Sequence, residues 1–377
     1  MKNLFKKRIP ALILLLTTIF LGSCSSGVKE TVQPEKVYAT VIEIEKYGHA
    51  VLDITTNNFI SEGYDLGDVV HVKVDSYESD MPFFDGYYTN PGDVLLRGLA
   101  PEKNIAVCIN YGDFSEETGI SLGDTVEITM SEKAAMLAYQ NLCSLKYTDN
   151  REDYADDVTF ANFRNVTSGN IGEGKLYRTA SPINNEHNRA SYANALIAEA
   201  NVATIVNLAD SAEDIEEYIK AEDFNSDYYL NLYRNGKVMA LDLAGDFFSE
   251  DFAKSITEGI IFLAKNQPPY ALHCTEGKDR AGFAVMLLSA LMGAELDEII
   301  DDYMISFHNY FGINKETDPE KYDAVLNNNL IPILCHVMDV PSSEMLTQIN
   351  LESAVIKFLL DSGMKESDII TLKEKLS

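Results

Sequence analysis

Tryptophan is absent from this chain of 377 residues, so its aromatic surface must come from 20 Tyr and 17 Phe. Positive charge is scarce as well: 30 Lys and Arg stand against 59 Asp and Glu, a net charge of -29. A surface that acidic argues against charge-driven binding to DNA, RNA or anionic membranes, and no nucleic-acid partner is expected. None of the cysteines forms a C-x-x-C pair, so a metal knot is not indicated. The N-terminal apolar run, Ile9 to Leu21, is short for a bilayer span. What is present is the balance of an ordinary globular protein, 46% hydrophobic and 24% charged, at a length suited to two or three domains.

Residues 1–23 read as a signal peptide. Lys2, Lys6, Lys7 and Arg8 form a positive n-region ahead of the apolar run. The run ends in Leu21-Gly22-Ser23-Cys24, which resembles the bacterial lipobox, and the resemblance implies lipidation of Cys24. Residues 24–35 are polar and lack apolar periodicity, as a tether does. An exported lipoprotein is expected, anchored by its N-terminal lipid in the cell membrane or outer membrane. Losing the signal removes four basic residues and no acids, so the mature chain is more acidic still.

Residues 36–130 have strand character. Val37 to Ile44, Val69 to Val74 and Val126 to Thr129 are rich in β-branched residues, and Gly, Pro, Asn and Asp clusters separate them. Leu66-Gly67-Asp68 recurs as Leu122-Gly123-Asp124, each copy turning the chain into a strand. A small all-β barrel or sandwich is predicted. Ile44-Glu45-Lys46-Tyr47-Gly48-His49-Ala50, Met81 to Phe84 and Ile105 to Gly112 resemble pieces of the C-terminal β-domain of SAM hydroxide adenosyltransferases. The chain departs from that family at His49, where Asn is usual, and lacks its catalytic domain.

Residues 131–157 read as a helical and acidic linker, and residues 158–377 as an α/β domain. Ala203 to Leu208 and Tyr270 to His273 are short buried-strand candidates; Tyr192 to Ala200, Glu250 to Lys265 and Ala281 to Met292 have helical patterning. Alternating strands and helices predict a parallel sheet flanked by helices.

The chemistry concentrates in His273-Cys274-Thr275-Glu276-Gly277-Lys278-Asp279-Arg280. An apolar strand ends at the Cys, and a long apolar helix opens at the Arg. That spacing lets residues Thr275 to Arg280 wrap a tetrahedral anion with backbone N–H groups turned inward. The helix start adds its positive dipole end, and Arg280 a two-pronged donor. Gly277 permits a turn that a side chain would obstruct. The same surroundings favour a Cys274 thiolate, which can attack phosphorus to form a phosphocysteine.

His273-Cys274-x5-Arg280 resembles the signature of the protein tyrosine phosphatase superfamily. The longer Cys274 to Gly282 segment is similar to atypical bacterial tyrosine and phosphoinositide phosphatases with a Gly-Lys-Asp-Arg loop. Gly174 to Pro182 and Asp301 to Ser306 resemble further motifs of that dual-specificity group. The resemblance implies a central parallel sheet with flanking helices and a Cys-dependent hydrolase of phosphomonoesters; direct attack by a thiolate requires no metal, and no cofactor is expected. It implies phosphotyrosine substrates first and phosphoinositides or inositol phosphates second. Two positions depart from the group: Ala281 stands where a Ser or Thr normally follows the Arg, and Asn207-Leu208-Ala209 replaces Asp-Leu-Arg.

Asp279 is the first candidate for general acid, because similar phosphatases use the loop Asp; Asp242 and Asp246, upstream near a potential Gly245 hinge, are the alternatives. Lys278 would add charge at the rim, partly offset by Glu276. Arg178 is a candidate pocket residue, and His273 is expected to orient the loop. The competing reading is a weakly active phosphate-recognition module, motivated by Ala281 and Ala209.

Overall fold

The computed structural model describes residues 34–89 and 92–377. The signal peptide, Cys24 and nearly all of the tether lie outside the described residues, as do Asn90 and Pro91 of one expected turn. Among the described residues, no helix is long and apolar enough to cross a membrane.

The first seven strands are β1 (Val37–Ile44), β2 (Ala50–Thr55), β3 (Val69–Val74), β4 (Tyr77–Phe84), β5 (Val94–Arg97), β6 (Asn104–Ile109) and β7 (Thr125–Glu132). They close into a barrel in the order β1-β2-β6-β5-β4-β3-β7, with β7 returning to β1. Alternation supplies the core: Val70, Val72 and Val74 of β3 are buried with Val126 and Ile128 of β7. Short helices α1 (Thr56–Ser61) and α2 (Phe114–Thr118) add Phe59 and Phe114 to this core.

The two Leu-Gly-Asp copies are structural equivalents. Gly67 and Gly123 have φ of +90° and +89°. The Asp68 carboxylate accepts from the Asp65 N–H and the Asp124 carboxylate from the Ser121 N–H, at 2.6 and 2.7 Å. Each turn feeds one of the paired strands β3 and β7, so a short sequence echo marks a repeated corner of the barrel.

Helix α3 (Leu137–Cys143) follows the barrel and is shorter than the linker pattern suggests. After it, α4 (Asp157–Phe160), β8 (Arg164–Asn165) and β9 (Leu176–Thr179) lead into the second unit. The helices α5 (Ala190–Glu199), α6 (Ala212–Tyr218) and α7 (Asp227–Arg234) lie among the strands β10 (Thr204–Asn207) and β11 (Val238–Ala240). Helix α8 (Glu250–Lys265) then precedes β12 (Tyr270–His273), and α9 (Asp279–Leu291) follows it. The sheet order is β11-β10-β12-β9-β8, with every pair parallel except β8 with β9. Parallel central strands are covered on both faces, which is why β10 and β12 carry no exposed residue.

A helical layer completes the unit: α10 (Leu296–Phe311), α11 (Pro319–Val325), α12 (Ile331–Val337), α13 (Leu351–Asp361) and α14 (Glu366–Leu376). Helix α9 is buried from Ala281 to Leu291. A helix apolar on every side belongs in the centre, and this one runs from the end of β12 between the sheet and the C-terminal helices.

Candidate functional site

Central strand β12 delivers Cys274 to the carboxyl end of the sheet, and α9 begins five residues later. Cys274 is only 2% exposed, at the floor of the turn. Its flank His273 is fully buried, which pulls the imidazole down to about 3 and keeps it neutral. Its Nδ1 lies 3.4 Å from the Cys274 carbonyl, and its ring meets Tyr229 edge-on.

The carbonyls of the turn are drawn outward. Thr275 O accepts from the Ser181 N–H at 3.0 Å. Glu276 O accepts from the Tyr310 hydroxyl at 2.6 Å and from Asn162 Nδ2 at 3.1 Å. Gly277 O accepts from Asn162 Nδ2 and from Arg178 Nε and Nη2, and Lys278 O accepts from Arg178 Nη2 at 2.8 Å. With the carbonyls held back, the N–H groups face inward. Among the described residues, the N–H groups of Thr275 to Arg280 have no protein acceptor. That array, at the start of a 13-residue helix, fits a tetrahedral oxyanion.

Gly277 makes the turn possible. Its φ is +67°, and a Cβ there would sit 2.2 Å from the Thr179 carbonyl oxygen of β9. Backbone therefore lies against backbone at this point.

Arg280 spans the opening. Its Nη1 donates to Leu243 O at 2.9 Å and its Nη2 to the Thr275 hydroxyl at 3.1 Å. Two of its five N–H donors are thus engaged, leaving three for a ligand. Lys278 is less free than its sequence position suggests. Its ammonium sits 2.7 Å from Asp279 and 3.6 Å from Glu276, over the Phe307 ring. The two carboxylates raise its pKa against the opposing effect of burial, the largest single influence on it.

The other expected residues divide. Asp279 lies at the rim in its pair with Lys278. Asp242 and Asp246 are both exposed in the segment after β11. Asp242 has a left-handed backbone (φ +49°) and its N–H reaches Asp210 O at 3.3 Å. Its neighbour Leu243 supplies the carbonyl that receives Arg280. Arg178 is placed differently from expectation: fully buried, it lies behind the turn and braces it. A β9 residue paired with central β12 points where the loop's back is, so Arg178 reaches carbonyls while its Nη1 pairs with Asp302 of α10 at 2.5 Å.

Asp302 also binds Arg164 at 2.8 Å. The two guanidinium groups outweigh the cost of its burial and hold the carboxyl at about 2. Asn162, Arg164, Tyr147 and Tyr310 went unnoticed in the sequence. Only the Asp301 to Ser306 resemblance hinted at this side of the site, since Asp302 and Ser306 anchor Arg164 and Asn162.

Asn207 and Asp210, in the segment that departs from Asp-Leu-Arg, are both buried and form a network. Asn207 Nδ2 donates to Asp210 at 3.0 Å and approaches the Tyr229 hydroxyl at 3.1 Å. Burial raises the Asp210 pKa. Ala281 is fully buried one residue after Arg280. Among the described residues, no group of three His, Cys, Asp or Glu could hold a metal ion.

A solved structure of an uncharacterized conserved protein from Thermotoga maritima is 24% identical, covering 28% of this chain and 41% of that one, with a TM-score of 0.24. A conserved hypothetical protein from Thermus thermophilus is 18% identical, covering 26% and 35%, with a TM-score of 0.20. At these scores neither likeness specifies a fold. A Cupriavidus necator protein provisionally named a tyrosine-protein phosphatase is 39% identical over 69 residues, 18% of this chain and 23% of that relative. The chain thus spans about a quarter of that relative's length. The sequence profile of the tyrosine phosphatase family matches residues 159–377, over half of the chain, the part that holds β12, the turn and α9. By that match the chain belongs to the tyrosine phosphatase family.

Proposed function

We propose that the chain is a Cys-dependent phosphomonoester hydrolase working through a phosphocysteine. The observation that carries this reading is the ring of unengaged N–H groups above Cys274, with Arg280 across its mouth. The phosphoryl oxygens take the inward N–H groups and the free donors of Arg280, which stay in place as charge develops. Cys274 attacks phosphorus as the thiolate. A P–S bond forms, the bond to the leaving oxygen breaks with its electron pair, and Asp279 supplies that oxygen's proton. Water then attacks phosphorus, the thiolate leaves, and Asp279 takes the proton back. These residues can carry out both steps without a metal.

Phosphotyrosine comes first among substrates and phosphoinositides or inositol phosphates second. Enclosure of Lys278 by Asp279 and Glu276 favours that order, because little of its charge remains for a second phosphate. The lipobox resemblance supports an exported, membrane-tethered protein acting on phosphorylated proteins or small phosphomonoesters. The test is steady-state and burst hydrolysis of p-nitrophenyl phosphate by the purified chain, with EDTA present. Multiple turnovers lost in Cys274→Ser are expected; undiminished turnover by that variant would sink the mechanism.

A second reading rests on Ala281. It offers no hydroxyl to the departing thiolate, which favours a phosphate-recognition module with slow release. A single burst followed by stalling is its signature.

A further inference from the structure

Beside the Cys274–Arg280 turn lies an open cavity of about 460 Å³, whose walls come from both halves of the chain. Glu276, Lys278 and Asp279 of the turn form one side. Phe247 and Phe307 line it from the second unit. Tyr139, Leu142 and Leu145 line it from α3 and the residues after it, outside the matched family region.

This wall is held from both sides: Leu142 and Leu145 pack against the core of the second unit, while α3 is fixed to the barrel by other contacts. Gln140, the buried residue of α3, exchanges hydrogen bonds with Asp85: Nε2 to the carboxylate at 2.7 Å, and the Asp85 N–H to Oε1 at 3.2 Å. The Met136 N–H donates to Gly67 O at 2.7 Å, at one of the repeated barrel corners. Tyr139 packs against Phe84 of β4, ring centres 5.9 Å apart. At its other end the same segment is joined to the turn, where the Tyr147 hydroxyl donates to Glu276. The segment therefore links the barrel to the loop.

We propose that Tyr139, Leu142 and Leu145 are specificity-determining residues: they form the wall that receives the aromatic leaving group of a phosphomonoester held at Cys274. This inference rests on the phosphatase reading and extends it, making the segment that links the barrel to the turn part of the substrate site. The chemistry of the lining selects the occupant. Aromatic and aliphatic faces adjoin a rim whose one cation is already paired with two carboxylates. Such a cavity suits a flat apolar group and offers no free cation to a second phosphate.

The test uses the full chain with Cys274→Ser as a non-reacting trap, and measures binding of 2-naphthyl phosphate and inorganic phosphate by calorimetry. Leu142→Ala should weaken 2-naphthyl phosphate about tenfold, the usual effect of trimming an apolar side chain from a pocket wall, and leave inorganic phosphate unchanged. Leu142→Glu should weaken the aryl ligand further by placing a carboxylate in the wall. Gln140→Ala, outside the cavity lining, should weaken the aryl ligand alone by loosening the wall from the barrel. Equal changes for both ligands, or none for either, would overturn the proposal. Failure of the unsubstituted trap to bind inorganic phosphate would overturn the reading of the loop and this inference with it. Turnover by the chain retaining Cys274 separately decides the hydrolase reading, so the two failures are distinguishable.

Discussion

Arg178 and Asp302 form an ion pair, 2.5 Å long and buried behind the Cys274–Arg280 turn. The pair links β9 to α10, and the guanidinium's remaining donors grip the Gly277 and Lys278 carbonyls. Arg164 shares the same carboxylate, so one Asp balances two buried cations. This brace turns the Gly277 and Lys278 carbonyls away from the opening, as Tyr310 and Asn162 do for Glu276.

Removing the shared carboxylate should therefore be costly. Asp302→Ala leaves two guanidinium groups without their counter-ion, and a loss of about 3–5 kcal/mol is expected. Denaturant unfolding measures it. Arg178→Met should likewise lower both stability and phosphate affinity, because the turn's carbonyls lose their donors.

Acid sensitivity should come in two windows. His273, buried and neutral with its value pulled down to about 3, binds a proton in the unfolded chain first. Its contribution is fully present above the unfolded value near 6.5 and falls away as pH drops through about 3. Asp302, held at about 2 against an ordinary 3.8, loses its contribution lower down, between those two values. Stability measured against pH should decline in both windows, and Asp302→Asn should shrink the lower one, which other ion-paired carboxylates such as Asp149 share. An unchanged lower window in that variant would refute the assignment.

Gly277→Ala should abolish anion binding. Its Cβ would meet the Thr179 carbonyl oxygen at 2.2 Å, and φ of +67° is strained for any side chain. A backbone neighbour cannot rotate away, so the turn must open. Binding of vanadate, followed by thermal shift, should disappear while the barrel remains folded by circular dichroism.

Ala281→Ser tests the second step. The site is fully buried in α9 and the added hydroxyl is small. If release of the thiolate limits turnover, kcat on p-nitrophenyl phosphate should rise about tenfold, with burst amplitude falling in step. An unchanged kcat would place the slow step elsewhere.

Asp279→Asn should depend on the leaving group. A loss of about 100-fold in kcat is expected on phenyl phosphate, whose leaving oxygen needs a proton, and far less on p-nitrophenyl phosphate. Asp242→Asn and Asp246→Asn, at exposed positions, should leave that ratio unchanged. A collapse of the ratio in either would transfer the acid's role to it.

Much was legible from local pattern. Local pattern placed Val37–Ile44, Val69–Val74, Glu250–Lys265 and Tyr270–His273 at the observed bounds: β-branched enrichment marks the first two, helical spacing the third and a short apolar run the last. The Cys274-to-Arg280 spacing likewise anticipated a strand, a turn and a helix. Closure of the barrel was not legible, since pairing of β1 with β7 joins residues about ninety apart that share no local signal.

The sequence by itself determined the components of the site: a thiol, a glycine that can adopt positive φ, an arginine and a helix start, all within seven residues. Local chemistry suffices there because the turn's own backbone supplies the anion-binding groups. Only the tertiary structure decided what holds those groups in place. Arg178 was expected in a pocket and lies behind the loop; Lys278 was expected at the rim and is paired on two sides. Asn162, Tyr147 and Tyr310 reach the turn from distant parts of the chain, 34 to 129 residues away. Hydrogen bonds and ion pairs act over a few ångströms of space, whatever the distance along the chain, so such partners become visible only after the strands and helices have packed.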